Sequence, residues 1–348
     1  MAPSLIRLPW AAVTATCALL GACSGETVAQ PPPAPVDWRS LQARPTLDAG
    51  PLAPTAKERA VAEAYTAALE SPRLAQLAPL LDDDAHFAFP GMSDAHGRDA
   101  TVRAHDVLFG AFEQRKFATN RVWRTDSQQS VEWTMSGTQA RDWMGVAATR
   151  KSATFRGLTI LWTKDDGTIN DIHVYFDVAV AKAQLGVGPK ELLSLPPPAP
   201  IPAGPPQVFE QTGAAEEKGN VAVVHAALDA LENSNLAGYV ATMTDDVEVY
   251  LSLRAQPMRG KDDLRAYYKA MHKAIGQLDT TVINAWGIAQ FAVVEHDIAG
   301  EQLGPIGWVP AQRDKVVRLH VVDVAELRDG KIARVWRYDN LSEIVGSS

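Results

Sequence analysis

The sequence predicts an α+β protein made of two consecutive copies of one unit, each with its helices first and an antiparallel sheet after them. Three observations predict it. A helix, a short helix and a strand recur in the same order in residues 55–190 and 216–348. A glycine precedes a third helix in each copy, Gly97 in "HGRDATVRAHDVLFGAF" and Gly260 in "RGKDDLRAYYKAMHKAI". The turns Asp166-Gly167 and Asp329-Gly330 each join two runs rich in β-branched and aromatic residues, as tight hairpins do.

From the N-terminus, Arg7 precedes an apolar stretch from Leu8 to Leu20 and the small residues Gly21 and Ala22, the pattern of a secretion signal. The stretch is shorter than the roughly 20 residues a spanning helix needs. Leu20-Gly21-Ala22-Cys23 resembles the lipobox of bacterial lipoproteins, which implies a signal over 1–22, lipidation at Cys23 and a tether over 23–54. An ordinary cleaved signal with Cys23 incidental is the competing reading. Ser24 after the cysteine favours the outer membrane in the sorting rule of such lipoproteins, so the body is expected to face the periplasm. Cys17 lies inside the removed segment, which leaves no pair to oxidise.

Proline-rich tracts, "AQPPPAPVDW" and "LPPPAPIPAGPP", are expected to act as semi-rigid spacers, the second within a linker over 191–215. The first copy opens with Thr55-Ala56-Lys57-Glu58, a capping box, and continues with Val61, Tyr65, Ala68 and Leu69 at helical spacing. Ser71-Pro72 suits a second short helix. The second copy repeats this with Val221, Val224, Leu228 and Leu231, then "NSNLAGYVATM". Strands follow: "SVEWTMSGT", "SATFRGLTILWT" and "INDIHVYFD" in the first copy, "FAVVEHDIAG", "KVVRLHVVDVAEL" and "KIARVWRYD" in the second.

The 348 residues, 46% hydrophobic and 21% charged, allow a sizeable core, and a net charge of −8 with no basic run gives no footprint for nucleic acid. There is no HExxH, no clustered Cys/His spacing, no glycine-rich phosphate loop and no GxSxG, so neither a metal nor a cofactor is expected.

The order of elements, with "VEWTMSGT", "ATFRGLTILWTKDDGTI" and "VYFDVAVAKAQLG", resembles the SnoaL-like branch of the NTF2-like superfamily, closely over 55–186 and more loosely over 216–346. The resemblance implies two tandem cone-shaped domains, each a curved antiparallel sheet wrapped over N-terminal helices around an apolar pocket. Its members include polyketide cyclases, ketosteroid isomerases, dehydratases and subunits that only bind or associate.

Alternation places His173, Tyr175 and Asp177 on one strand face and Ile172, Val174 and Phe176 on the other. Superposing the copies from their hairpin glycines sets Trp336 against His173, Tyr338 against Tyr175 and Asn340 against Asp177. Because Arg337 and Asp339 suit solvent or a partner, the aromatic face is expected to line the pocket.

Asp177 admits two readings. As an acid–base group in an apolar cone it is desolvated and its pKa rises. Tyr175 then donates to an enolate oxygen and His173 assists. As an N-cap it starts the helix "VAVAKAQ", with Asn340 doing the same before "LSEIVG" and Glu343 completing a capping box. A cap oxygen is already hydrogen-bonded, so on this reading its pKa falls. The cyclases pair their aspartate with a histidine on the neighbouring strand, and "SATFRGLTILWTK" holds none.

Trp133, Trp162 and His296, with Trp336, Tyr338 and Asn340, are further candidates for pocket lining, each also readable as core. Asp84 with His86, and Asp246 with Glu248, share strand faces and read as solvated pairs or as polar contacts at a pocket mouth. The functions left open are an isomerase or cyclase acting through Asp177, a lipoprotein that holds a small apolar ligand, and an association module. In the last, the domains form a homodimer or an intrachain pseudo-dimer through the outer sheet faces, with Ile172, Val174 and Phe176 supplying the apolar surface.

Overall fold

The structure is a computed structural model that describes residues 56–198, 204–312 and 315–346. The leader with Cys23, the first proline-rich tract and Thr55 of the expected capping box lie outside the described residues.

In the first domain, α1 (Ala56–Glu70) buries Val61, Tyr65, Ala68 and Leu69 along one stripe, as their spacing requires. A 3₁₀ turn (Leu74–Leu80) buries Leu74 and Leu77 and leads into β1 (Leu81–Ala88), β2 (Ala95–His96) and α2 (Arg98–Phe109). β3 (Phe112–Arg124), β4 (Gln128–Gln139), β5 (Ser152–Thr163) and β6 (Ile169–Tyr175) run antiparallel in sequence, and α3 (Val178–Gln184) follows. Part of the expected linker is not spacer, because β7 (Gln207–Glu210) pairs in parallel with β3.

The second domain repeats the plan: α4 (Ala215–Glu232), α5 (Leu236–Ala241), β8 (Met243–Leu251), β9 (Met258–Arg259) and α6 (Gly260–Ala274). Then come β10 (Ile275–Ile288), β11 (Phe291–Gln302), β12 (Val316–Arg328), β13 (Lys331–Tyr338) and α7 (Ser342–Gly346). Among the described residues the strands form two mixed sheets, ordered β2-β1-β6-β5-β4-β3-β7 and β10-β11-β12-β13-β8-β9. In each, only one pair within the repeated unit is parallel, β1 with β6 and β8 with β13.

The long strands β3 and β10 escape the sequence reading because bulges break their alternation. Registers shift at Glu113/Lys116 and Thr119/Arg121 in one and at Gly276/Asp279 and Val282/Asn284 in the other. Gln114 and Gln277 take left-handed φ values of 52° and 50° at the first shift of each strand. Each bulge adds a residue to one strand and increases its twist, which bends the sheet over the helices.

The two sheets share a core. Trp123, Trp162 and Tyr175 of the first domain pack in one buried cluster with Phe291, Val324 and Tyr338 of the second. Burying each such side chain contributes about 1.5–3 kcal/mol relative to leaving it in water. Polar contacts across this seam are related by a pseudo-two-fold. Tyr338 donates to Glu132, and Tyr175 donates to Glu295 at 2.5 Å. Both carboxylates are almost fully buried, and their remaining partners are Arg121 at 2.7 and 2.8 Å and Asn120 for Glu132, and His173 and Asn284, both at 2.5 Å, for Glu295.

This seam corrects the assignment of faces. His173, Tyr175, Trp336 and Tyr338 lie between the sheets and do not line a cone. Ile172, Val174 and Phe176, expected outside, belong to the first domain's own core. Arg337 and Asp339, expected toward solvent or a partner, line the interior of the second cone. Packing the sheets back to back buries both faces of the central strands, so polarity no longer distinguishes inside from outside.

Candidate functional site

The first cone is filled by its own aromatic side chains. Phe109, Trp133, Phe155 and Phe176 meet there with ring centroids 5.0–6.2 Å apart. The Trp133 indole donates to Thr159 Oγ1 at 2.9 Å and covers Gly157 so closely that a Cβ there would stand 2.4 Å from the ring. Tyr65 and His105 are hydrogen-bonded at 2.8 Å in the same interior, where burial pushes the His105 pKa down to about 4. Trp133 is therefore core, and the imidazole inside this cone is neutral at pH 7.

The second cone keeps a cavity of about 350 Å³. Its walls are mostly apolar, with Leu251, Met271, Ile298, Trp308 and Val321 from strands, loop and helix, and Leu192 of the interdomain segment at its edge. This size falls within the range of small-molecule sites. Alternation on the last strand and its extension points Arg337, Asp339 and Leu341 into the cavity, which leaves Trp336, Tyr338 and Asn340 on the opposite side.

The polar groups of the cavity are organised by strand register. Asp323 lies directly opposite Arg337 on the neighbouring strand, and the guanidinium grips it in a fork at 2.8 and 2.6 Å. Arg337 Nη1 donates to the Tyr267 hydroxyl at 2.8 Å, which leaves that hydroxyl a proton to donate. His296, fully buried one strand further, sits with Nε2 3.1 Å from Asp323 and stands behind the cavity wall. Burial alone would raise the Asp323 carboxyl, but Arg337 and His296 more than reverse this and hold it well below the usual carboxylate range. Asp339 has no such fork. Burial, then the nearby Asp177 carboxylate, pushes its pKa up to about 7 against the pull of Arg337. A carboxyl poised at neutrality beside a fixed guanidinium can accept or donate a proton at physiological pH.

The SnoaL-like domain model matches residues 62–172 and again 224–335, more than half of the chain. The chain belongs to the SnoaL-like family. Over somewhat more than a third of its length the chain resembles solved structures. One is a candidate SnoaL-like polyketide cyclase from Jannaschia sp. CCS1, 20% identical, with 39% of this chain and 96% of that one covered at a TM-score of 0.35. Another is a candidate polyketide cyclase from Silicibacter sp. TM1040, at 26%, 38%, 96% and 0.34 in the same order. A third is an LEH-like epoxide hydrolase from M. tuberculosis, at 20%, 37%, 87% and 0.30. No curated protein matches the chain.

In the first SnoaL-like domain Asp177 sits at the start of α3 with its Oδ1 accepting from the Ala179 and Val180 amides at 2.7 and 3.1 Å. Asn340 occupies the equivalent place in the second, and the two caps are exchanged across the seam. Leu341 N donates to Asp177 Oδ2 at 3.3 Å, and Val178 N donates to Asn340 Oδ1 at 3.2 Å. The Glu343 carboxylate turns to His320, with Oε1 accepting from the backbone N–H at 2.9 Å and Oε2 2.7 Å from Nδ1. The expected fall of the Asp177 pKa does not occur, since burial outweighs three backbone donors and raises it to about 6.

Asp177→Asn retains the Oδ1 acceptor and is expected to lower stability by less than about 1 kcal/mol, whereas Asp177→Ala costs about 1–2 kcal/mol. Thermal unfolding of both variants checks this; equal losses would contradict the cap. Of the residues singled out in sequence, His173 and Tyr175 converge on Glu295 at the seam and Asp177 accepts from Leu341 across it, while His296 alone joins the polar network of the second cone. Arg337, Asp339, Asp323 and Tyr267 were missed as site residues. Their available signal was the charged alternation in "VWRYD", with an acidic partner on the preceding strand.

Proposed function

We propose that the second SnoaL-like domain binds a small, mostly apolar molecule that carries a carbonyl or anionic group, with the first domain as its packed scaffold. The observation that carries this reading is the cavity in which Asp339 stands beside the Arg337–Asp323 fork. A carbonyl or anionic oxygen would be met by Arg337 and Tyr267, and the carbon skeleton by the apolar walls. Asp339 then serves as the acid–base group, taking a proton from the carbon next to a carbonyl while Arg337 stabilises the enolate oxygen. This transfers the acid–base role from Asp177, which is committed to its cap, to a residue of the other domain.

The test uses 8-anilinonaphthalene-1-sulfonate, an apolar anion, titrated into the full chain. One saturable site is expected, weakened at least tenfold by Ala270→Trp, which places an indole in the cavity. Below a pH of about 7 Asp339 is neutral; above it the carboxylate repels the sulfonate, while Arg337 and Asp323 stay charged and Asp177 has already ionised at about 6. Binding therefore weakens as pH rises above about 7 in the wild type and stays level over that upper range in Asp339→Asn. No binding at all would favour a second reading, a purely structural pseudo-dimer, which the buried core shared by the two sheets supports.

The sequence around Cys23 further supports attachment of the protein to the outer membrane by lipid, with the body facing the periplasm. Among the described residues no helix is long and apolar enough to cross a membrane. Cys23→Ser is expected to move the protein from the membrane to the soluble fraction on centrifugation; unchanged membrane retention would exclude this anchor.

A further inference from the structure

We propose that His86, Asp94 and His96 form a zinc site at the edge of the first domain's sheet, with Asp171 orienting His86 and a fourth position open to water or a ligand.

The register of the edge strands creates the set. β1 and β2 place His86 directly opposite His96, their ring centroids 4.9 Å apart, and Asp94 enters from the turn just before β2. His86 Nε2 lies 3.1 Å from Asp94 Oδ2, and one donor atom from each of the three residues falls within 4.8 Å of the others. A tetrahedral zinc with bonds of about 2.0–2.1 Å holds its donors about 3.3 Å apart. Small side-chain rotations therefore close the set around an ion. Imidazole nitrogens with one carboxylate are donors that zinc accepts.

The surroundings have the form of a ligand support. His86 Nδ1 stands 2.7 Å from Asp171 Oδ1, which aims Nε2 toward Asp94 and His96. A metal-bound histidine characteristically gives its other nitrogen to a carboxylate in this way. Asp171 is itself 3.3 Å from His173 Nε2, and His173 Nδ1 reaches Glu295, so the support is anchored in the seam between the domains. His96 is exposed, while His86 and Asp94 are half-buried, so an ion has an entry path.

The second domain shows what this edge needs for folding alone. There Glu248 pairs with Arg259 across the edge strands and with Arg334 on the neighbouring one, as ion pairs of 2.8 and 3.5 Å. His86, His96 and Asp171 take those three places in the first domain. An ordinary salt bridge satisfies the fold at this edge, and the first domain has exchanged both arginines for a histidine and a carboxylate.

The test is calorimetric titration of the full, chelator-stripped chain with zinc chloride, followed by cobalt(II) as a visible reporter of tetrahedral geometry. One site is expected whose affinity falls at least tenfold in His96→Ala and in Asp94→Asn, and about 10–100-fold in Asp171→Asn. Because His96 is exposed, His96→Ala should unfold at the wild-type temperature without zinc. Zinc uptake that is absent, or equal in wild type, His96→Ala and Asp94→Asn, overturns the assignment; uptake by Cys17 or Cys23 belongs to that outcome. Binding lost in His173→Gln and retained in His96→Ala also overturns it, since the ion would then sit deeper, between His86, Asp171 and His173.

Discussion

Glu295→Ala is expected to lower the unfolding free energy by about 3–5 kcal/mol, because it removes one member of a buried charged network and strands the others. His173, Tyr175 and Asn284 all converge on this carboxylate from around the seam, and Glu295 is 1% exposed. The loss carries a pH signature. Burial opposes charge on His173, but Glu295 and Asp171 more than reverse this and raise its pKa from 6.5 to about 10. A raised histidine contributes stability that is fully present below its unfolded value of 6.5 and disappears as pH climbs through about 10. Burial likewise opposes charge on Glu295, yet His173, Tyr175 and Asn284 hold its pKa below the usual 4.5, so its contribution is lost on acidification below that value. The gap between wild type and Glu295→Ala should therefore be widest at about pH 5–6 and shrink toward about pH 10. Urea unfolding followed by tryptophan fluorescence measures it; a gap that does not change with pH would mean His173 draws its charge stabilisation elsewhere.

Arg337→Met should cost a similar amount, about 3–5 kcal/mol, by leaving Asp323 charged and buried without its fork. Anilinonaphthalene sulfonate binding should be lost with it. The double variant Arg337→Met/Asp323→Leu replaces the pair by apolar side chains of similar length, a change that is often neutral or stabilising. It should recover most of the stability, though not all, since His296 then loses its acceptor. Binding should stay absent in the double variant. Recovery of binding together with stability would show that Arg337 holds the wall and does not meet the ligand.

Much of this molecule was legible in its sequence because short-range rules are strong in it. Helical spacing at Val61, Tyr65 and Leu69, and hairpin turns at Gly167 and Gly330, follow from backbone sterics and local apolar periodicity, and the structure has these elements in that order. The repetition of that order in two copies set the α+β class, and the resemblance of its segments to the SnoaL-like family holds in both copies. The bulged strands β3 and β10 were illegible because a bulge shifts alternation midway and removes the signal that marks a strand.

The site was misplaced for a different reason. Alternation correctly grouped His173 with Tyr175, and Arg337 with Asp339, since side chains two apart in a strand must share a face. Which face looks into a cone depends on what covers the other one, and that cover is the second domain, more than a hundred residues away in the chain. With both faces buried, the charge on Arg337 reads as solvent-seeking until Asp323 is seen opposite it. The choice between a filled cone and an open one was also beyond local rules, because it rests on whether rings such as Trp133 and Phe176 meet across the interior, a matter of three-dimensional packing volume that no spacing along the chain encodes.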